Sequence, residues 1–169
     1  MLKELIRDIP DFPKEGIIFK DITPVLQSPA GLKEVVDKFS DHYANQKIDV
    51  IVGAEARGFL FGPAVAINLG AGFVPVRKPG KLPYETSSMT YDLEYGTDTL
   101  EIHKDAVKAG DNVLMMDDLL ATGGTMAASC KLVESLGGKI MGCAFLIELG
   151  FLNGKEKLSE YDIFSLIQY

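Results

Sequence analysis

The chain has little of what several protein classes require. Its 169 residues include two cysteines, Cys130 and Cys143, and two histidines, His42 and His103. Two scattered cysteines do not suggest a disulfide framework or a zinc site. They read as buried reduced thiols of a cytoplasmic protein, Cys130 in a helical pattern and Cys143 in a strand pattern. Neither histidine has a partner at ligand spacing, so neither is assigned chemistry. No apolar run is long enough to span a bilayer. Met1–Asp8 reads as a short amphipathic helix without the apolar stretch of a signal peptide. There is no internal repeat, low-complexity segment or interdomain linker. Cations are outnumbered, with 17 Lys and Arg against 24 Asp and Glu, a net charge of −7. An acidic chain without a basic face or a helix-turn-helix pattern is a poor partner for nucleic acid or an anionic membrane.

What is present supports one domain with one sizeable core, since 47% of the residues are apolar. Strand-like runs are expected at Ile48–Val52, Phe73–Arg77, Thr99–His103, Asn112–Met116, Lys139–Ile147 and Ile163–Ile167. Between them lie helical patterns at Gly31–Tyr43, Gly58–Leu69 and Met126–Leu136, the last stopped by Gly137-Gly138. On the first helix Leu32, Val35, Val36, Phe39 and Tyr43 share a face. Continuous apolar strands alternating with helices imply an α/β fold. Its sheet is open, twisted and mostly parallel, flanked by helices on both faces. Ligands of such sheets sit at the carboxyl ends of the strands. Loops after Val52, Arg77 and Met116 are therefore expected to converge. The longest stretch outside the core is Lys78–Thr97, a loop whose length marks it as functional or mobile.

The most informative segment runs from Val113 to Thr125. An apolar strand ends in Asp117-Asp118. Ala121-Thr122-Gly123-Gly124-Thr125 follows, and a helical pattern begins at Met126. Carboxylates accept hydrogen bonds from sugar hydroxyls. A Gly/Thr loop at a helix N-terminus presents N–H groups and hydroxyls to an anion. Each hydrogen bond from Thr122 or Thr125 to a phosphate contributes roughly 1.5–3 kcal/mol. Gly123 and Gly124 leave room for the backbone to approach that anion. The loop lacks the Gly-x-x-x-x-Gly-Lys of a Walker A motif. Glu55-Ala56-Arg57-Gly58 also follows a strand and precedes a helix, so its N–H groups and Arg57 suit a second anion. Arg77, Lys78 and Lys81 add cations in the next loop.

The Asp117–Thr125 segment resembles the type I phosphoribosyltransferases. Four further segments make the likeness specific to the adenine-using branch: Phe12–Thr23, Glu55–Gly62, Arg77–Pro83 and Leu93–Gly96. It extends from Phe12 to Tyr169. The resemblance implies the type I phosphoribosyltransferase fold as a single domain over residues 1–169. It adds an N-terminal base-binding hood over about residues 1–30 and a mobile active-site loop at 78–97. The implied reaction joins adenine to phosphoribosyl pyrophosphate, giving AMP and pyrophosphate in purine salvage.

The same resemblance distributes the roles. Asp117, Asp118 and Ala121–Thr125 hold the ribose and its 5-phosphate. Glu55, Ala56, Arg57, Arg77, Lys78 and Lys81 meet the pyrophosphate. Either Arg77 or Lys78 acting across a homodimer interface is a further family analogy, as is a cis peptide between Glu55 and Ala56. Phe19 stacks on adenine while the Ile18 and Lys20 backbones pair with its edge. Many relatives carry Arg where this chain has Lys20, which a backbone role survives. Substrate chemistry implies Mg²⁺ with few protein ligands. Asp117 and Asp118 either touch it through water or bind ribose hydroxyls alone. Phosphoribosyltransferases for 6-oxopurines carry an acidic residue where this chain has Ala121. The catalytic carboxylate is then expected to be Glu94, with Tyr95 supporting its loop. Two other readings are a transferase for another purine and a catalytically inactive sensor of phosphoribosyl pyrophosphate. Ala121 and Phe12–Thr23 favour adenine; Glu94 and the acidic, unpatterned surface favour an enzyme.

Overall fold

The computed structural model describes residues 1–93 and 95–169. Its strands in chain order are β1 (Arg7–Pro10), β2 (Ile18–Asp21), β3 (Val50–Ala54), β4 (Gly72–Val76), β5 (Thr86–Asp92), β6 (Thr97–His103), β7 (Asn112–Leu120), β8 (Lys139–Glu148) and β9 (Ile163–Gln168). The helices are α1 (Thr23–Gln27), α2 (Pro29–Tyr43), α3 (Gly62–Leu69) and α4 (Gly124–Ser135). A parallel five-stranded sheet runs β4-β3-β7-β8-β9. Hairpins β1-β2 and β5-β6 stand outside it.

Side-chain alternation builds a core on each face of the sheet. Val50, Val52, Val113, Met115 and Phe145 pack with Cys130 and Leu132 of α4. Ile51, Leu114 and Met116 face the opposite way, toward Val35, Phe39, Tyr43, Phe61 and Val65 of the α2–α3 side. All of β3 is buried, as a strand covered on both faces must be. Ser28 caps α2 by accepting the Gly31 N–H at 3.0 Å, and Pro29 opens the helix. Val35, Phe39 and Tyr43 form its buried stripe. At the end of α4, Gly137 takes φ +90°, and the Gly138 N–H donates to the Val133 carbonyl at 3.1 Å.

Four expectations change. Gly58–Leu69 is not one helix: Arg57–Phe59 is a 3-10 turn and α3 starts at Gly62. Pro63 has no N–H and crowds the preceding turn, so it suits a helix start and not a helix interior. Met1–Asp8 forms only a 3-10 turn over Leu2–Leu5 before β1 pairs with β2. So short a segment does not sustain a helix against strand pairing. Residues 78–97 are not a continuous loop, because β5 pairs with β6 from Thr86↔His103 to Asp92↔Thr97. Finally, β7 continues past Met116 to Leu120, so Asp117 and Asp118 lie inside the strand. Pairing with β8 carries it that far, through Leu120↔Glu148. Among the described residues, no helix is long and apolar enough to cross a membrane.

Candidate functional site

Strands β4, β3 and β7 are neighbours in the sheet, so their carboxyl ends open side by side. Glu55, Ala56, Arg57, Lys78, Asp117, Asp118 and Ala121–Thr125 line one cavity there of about 260 Å³. The expected convergence of three loops is thus present.

The Thr/Gly loop turns at Gly123, where φ is +84°. The first turn of α4 then leaves N–H groups without helical partners. The two glycines do different work. A Cβ on Gly123 would lie 2.5 Å from the Gly154 carbonyl oxygen, so its bareness serves the turn and the wall behind it. A Cβ on Gly124 would meet only ordinary contacts, the nearest being the Tyr91 ring at 3.7 Å. The Thr125 hydroxyl lies 3.1 Å from the Tyr91 hydroxyl.

Asp117 and Asp118 occupy consecutive positions of β7, so their side chains leave opposite faces of the strand. Asp118 is 5% exposed, and its Oδ2 lies 3.0 Å from Arg57 Nε. Asp117 Oδ1 accepts the Asp118 N–H at 2.8 Å. Burial pushes the Asp117 carboxyl well above its usual range, and the neighbouring Asp118 charge adds to this.

Glu55 organises the cations. Its Oε2 meets Lys81 Nζ at 2.5 Å. Its Oε1 accepts the Lys78 N–H at 2.7 Å and lies 3.4 Å from Arg77 Nε. Burial opposes ionisation of Glu55. Hydrogen bonds from Lys81 and the Lys78 N–H, with the charges of Lys81 and Arg77, outweigh it and hold the carboxyl below its usual range. The Glu55 side chain therefore faces cations, and only the backbone of Glu55 and Ala56 remains for a pyrophosphate. The peptide between these two residues is cis, as expected. Lys78 pairs with Asp98, which raises the ammonium and lowers the carboxyl. Asp98 also lies 3.4 Å from the Tyr91 hydroxyl.

The β1-β2 hairpin brings Phe19 to the same site. Arg57 Cζ lies 5.1 Å from the Phe19 ring centroid, and the Phe12 ring meets Phe19 edge-on at 5.2 Å. Ile18 is exposed. The Lys20 ammonium pairs with Asp8 at 2.7 Å and stands 4.0 Å above the Tyr169 ring. Its side chain is thus engaged elsewhere, which leaves its backbone for a ligand. Tyr95 is 83% exposed, with its ring open to solvent and not packed as a support. Glu94 lies outside the described residues. His42 stacks on Phe164 at 3.6 Å and the His103 ring accepts the Tyr84 N–H at 3.3 Å, structural roles for both.

Sequence reasoning missed Tyr91 and Asp98. The alternation of Met89 and Tyr91 with polar residues was a strand signal. Nothing local announces that Asp98 pairs with Lys78 across 20 residues of chain. Among the described residues, no group of three His, Cys, Asp or Glu could cage a metal.

The Phosphoribosyl transferase domain model matches residues 21–168. The adenine phosphoribosyltransferase of Clostridium botulinum (strain Loch Maree / Type A3) is 61% identical over 99% of this chain and 98% of its own length. The solved adenine phosphoribosyltransferase of Thermoanaerobacter pseudethanolicus superposes with a TM-score of 0.97 at 59% identity, covering 99% of this chain and 98% of that one. That of Saccharomyces cerevisiae, solved with an imino-altritol bisphosphate and adenine, gives 0.94 at 47% identity over 98% of this chain and 96% of that one.

Proposed function

The chain belongs to the adenine phosphoribosyltransferases of the phosphoribosyl transferase family, and we propose that it runs their reaction in the cavity at the ends of β3, β4 and β7. The enzyme transfers a 5-phosphoribosyl group from phosphoribosyl pyrophosphate to adenine, giving AMP and pyrophosphate. Arg57 carries the assignment of the site. It touches Asp118 at 3.0 Å and lies over Phe19 at 5.1 Å, so a sugar-binding acid and a base platform share one cation.

In this reading the Ala121–Thr125 loop and the α4 N-terminus hold the 5-phosphate. Asp117 and Asp118 accept from the ribose hydroxyls. The negative charge of Asp118 favours the positive anomeric carbon that forms as the bond to pyrophosphate breaks. Arg57, Arg77, Lys78 and Lys81 exchange carboxylate partners for the leaving pyrophosphate. Phe19 stacks on adenine and the Ile18 and Lys20 backbones read its edge. The purine nitrogen bonds to the anomeric carbon, and Glu94 exchanges the purine ring proton. Asp117 and Asp118 would hold a Mg²⁺ through water, with substrate oxygens supplying its other ligands. When bound, Mg²⁺ supplies charge neutralisation at the pyrophosphate. Closure of residues 78–97, including the β5 strand, excludes water. The reading extends to a cytoplasmic homodimer, supported by the family resemblance.

The test is AMP formation from adenine, phosphoribosyl pyrophosphate and Mg²⁺, run beside hypoxanthine, guanine and xanthine. Rapid turnover of adenine alone is expected. Turnover of an oxopurine would overturn the base assignment. Binding of phosphoribosyl pyrophosphate without turnover would favour a sensor.

A further inference from the structure

A ribose 5-phosphate carries about −1.5 to −2 charge at neutral pH. The loop proposed to hold it, Ala121–Thr125, contains no cation, and it follows two carboxylates in sequence. The four cations assigned to the pyrophosphate are paired with Asp118, Glu55 and Asp98 on the β3 and β4 side of the cavity. A positive partner on the loop's other side would complete the electrostatics, and the fold provides one.

After β8 the chain makes a 3-10 turn over Gly154–Leu158. This turn is pressed against the phosphate loop. A Cβ on Gly154 would lie 2.4 Å from the Ala121 carbonyl oxygen, and its own carbonyl backs Gly123. Leu158 anchors the turn in the core on the α4 side. Its two lysines diverge. Lys155 reaches back to Glu148 at 2.9 Å. Lys157 is exposed, and its Nζ stands 3.9 Å from where a Gly124 Cβ would be, at the first residue of α4. Tyr91, Thr122, Gly124, Thr125 and Lys157 share the lining of an adjoining cavity of about 360 Å³.

We propose that Lys157 is a direct ligand of the 5-phosphate and the cation by which this enzyme prefers 5-phosphorylated ligands over their unphosphorylated counterparts. The proposal rests on the adenine phosphoribosyltransferase reading. Three features support it: the placement of Nζ over the helix N-terminus, the lack of any cation in the loop, and the glycine contacts that fix the turn against the loop. An ammonium there adds a charge-assisted hydrogen bond without disturbing the backbone donors.

The experiment compares the affinities of AMP and adenosine by calorimetry for the unmodified enzyme, Lys157→Met and Lys157→Arg. Lys157→Met is expected to weaken AMP about five- to tenfold, less than a buried charged hydrogen bond is worth because the side chain is exposed. Adenosine affinity and the melting temperature are expected to hold. Lys157→Arg should keep most of the AMP affinity, and the salt dependence of AMP binding should flatten in Lys157→Met. An unchanged AMP-to-adenosine ratio in Lys157→Met would overturn the proposal, as would equal weakening of both ligands. If the unmodified enzyme shows no preference for AMP, the functional reading itself fails and the proposal falls with it.

Discussion

Burial raises the Asp117 carboxyl above its ordinary range, and the charge of Asp118 beside it raises it further. A carboxyl whose folded pKa is raised stabilises the fold most below its unfolded pKa. That contribution is lost as pH rises through the folded value. Asn in place of Asp keeps the side-chain oxygen that accepts the Asp118 N–H at 2.8 Å, yet carries no charge. Asp117→Asn is therefore expected to melt higher than the parent at pH 8, with the gap closing toward pH 4, while ribose binding weakens. Thermal melts across that range check the sign; a gap that does not depend on pH would remove the charge from the explanation. Stability gained by neutralising a site residue is a common trade against function. For Glu94, chemistry alone sets the expectation: loss of a general acid–base group lowers turnover by about 10²–10⁴-fold. Glu94→Ala is expected to lower kcat in that range, with a much smaller change in the KM for phosphoribosyl pyrophosphate. Steady-state kinetics decide it, and an unchanged kcat would take Glu94 out of the mechanism. The acidic pair and the Thr/Gly loop were legible because they are contiguous. The partners of the cations were not, since Glu55 meets Lys81 from 26 residues away and Arg57 meets Asp118 through the sheet.

At the scale of elements, the β5-β6 hairpin is the part that composition disguised. Pro79, Gly80 and Pro83 break any pattern at its entry, and Ser88, Thr90 and Asp92 make β5 polar on its outer side. Only Met89 and Tyr91 pack against the core beneath, too short a stripe to stand out from a loop. Yet this hairpin connects two halves of the site. Lys78 pairs with Asp98, Asp98 lies 3.4 Å from the Tyr91 hydroxyl, and Tyr91 lies 3.1 Å from the Thr125 hydroxyl. A cation of the pyrophosphate side is thus joined to the phosphate loop by side chains alone. Tyr91 has a single O–H, so when it donates to Thr125 and leaves the Thr125 O–H for a phosphate, it gives up the bond to Asp98. Tyr91→Phe removes that support. It is expected to raise the KM for phosphoribosyl pyrophosphate about two- to tenfold, the worth of one ordinary hydrogen bond. Amide exchange of residues 86–92 should quicken at the same time. Quicker exchange without a change in KM would confine Tyr91 to the hairpin.

Over the whole molecule, strand and helix alternation was enough to read the parallel sheet, because each buried strand is a continuous apolar run such as Val50–Ala54. Where the chain pairs outside that sheet, as in the two hairpins, the pattern is shorter and tertiary contact decides. Electrostatics also acts at this scale. Asp21, Asp49, Glu55 and Asp98 are all held below their ordinary ranges, in different parts of the fold. Asp21 is the most defined. The Thr23 hydroxyl and N–H and the Arg7 guanidinium lower it from 3.8 to about 2. Its Oδ1 accepts the Thr23 N–H at 2.9 Å and its Oδ2 meets Arg7 Nη2 at 2.6 Å, tying the β1-β2 hairpin to the start of α1. Between pH 4 and pH 2 the unfolded chain binds more protons at such groups than the folded one, so stability falls as pH falls. Asp117 has the opposite sign, and one group against four does not reverse the trend. The melting temperature is expected to rise slightly from pH 7 to pH 5, where Asp117 acts alone, and to drop steeply below pH 4. Asp21→Asn should melt lower than the parent at pH 7 and converge with it near pH 2, where the parent carboxylate is itself being protonated. Circular-dichroism melts of both proteins across this range measure the convergence. If the two curves stay equally far apart down to pH 2, the loss at position 21 comes from packing or from the neutral hydrogen bond to Thr23, and the ionised carboxylate is not what anchors the β1-β2 hairpin.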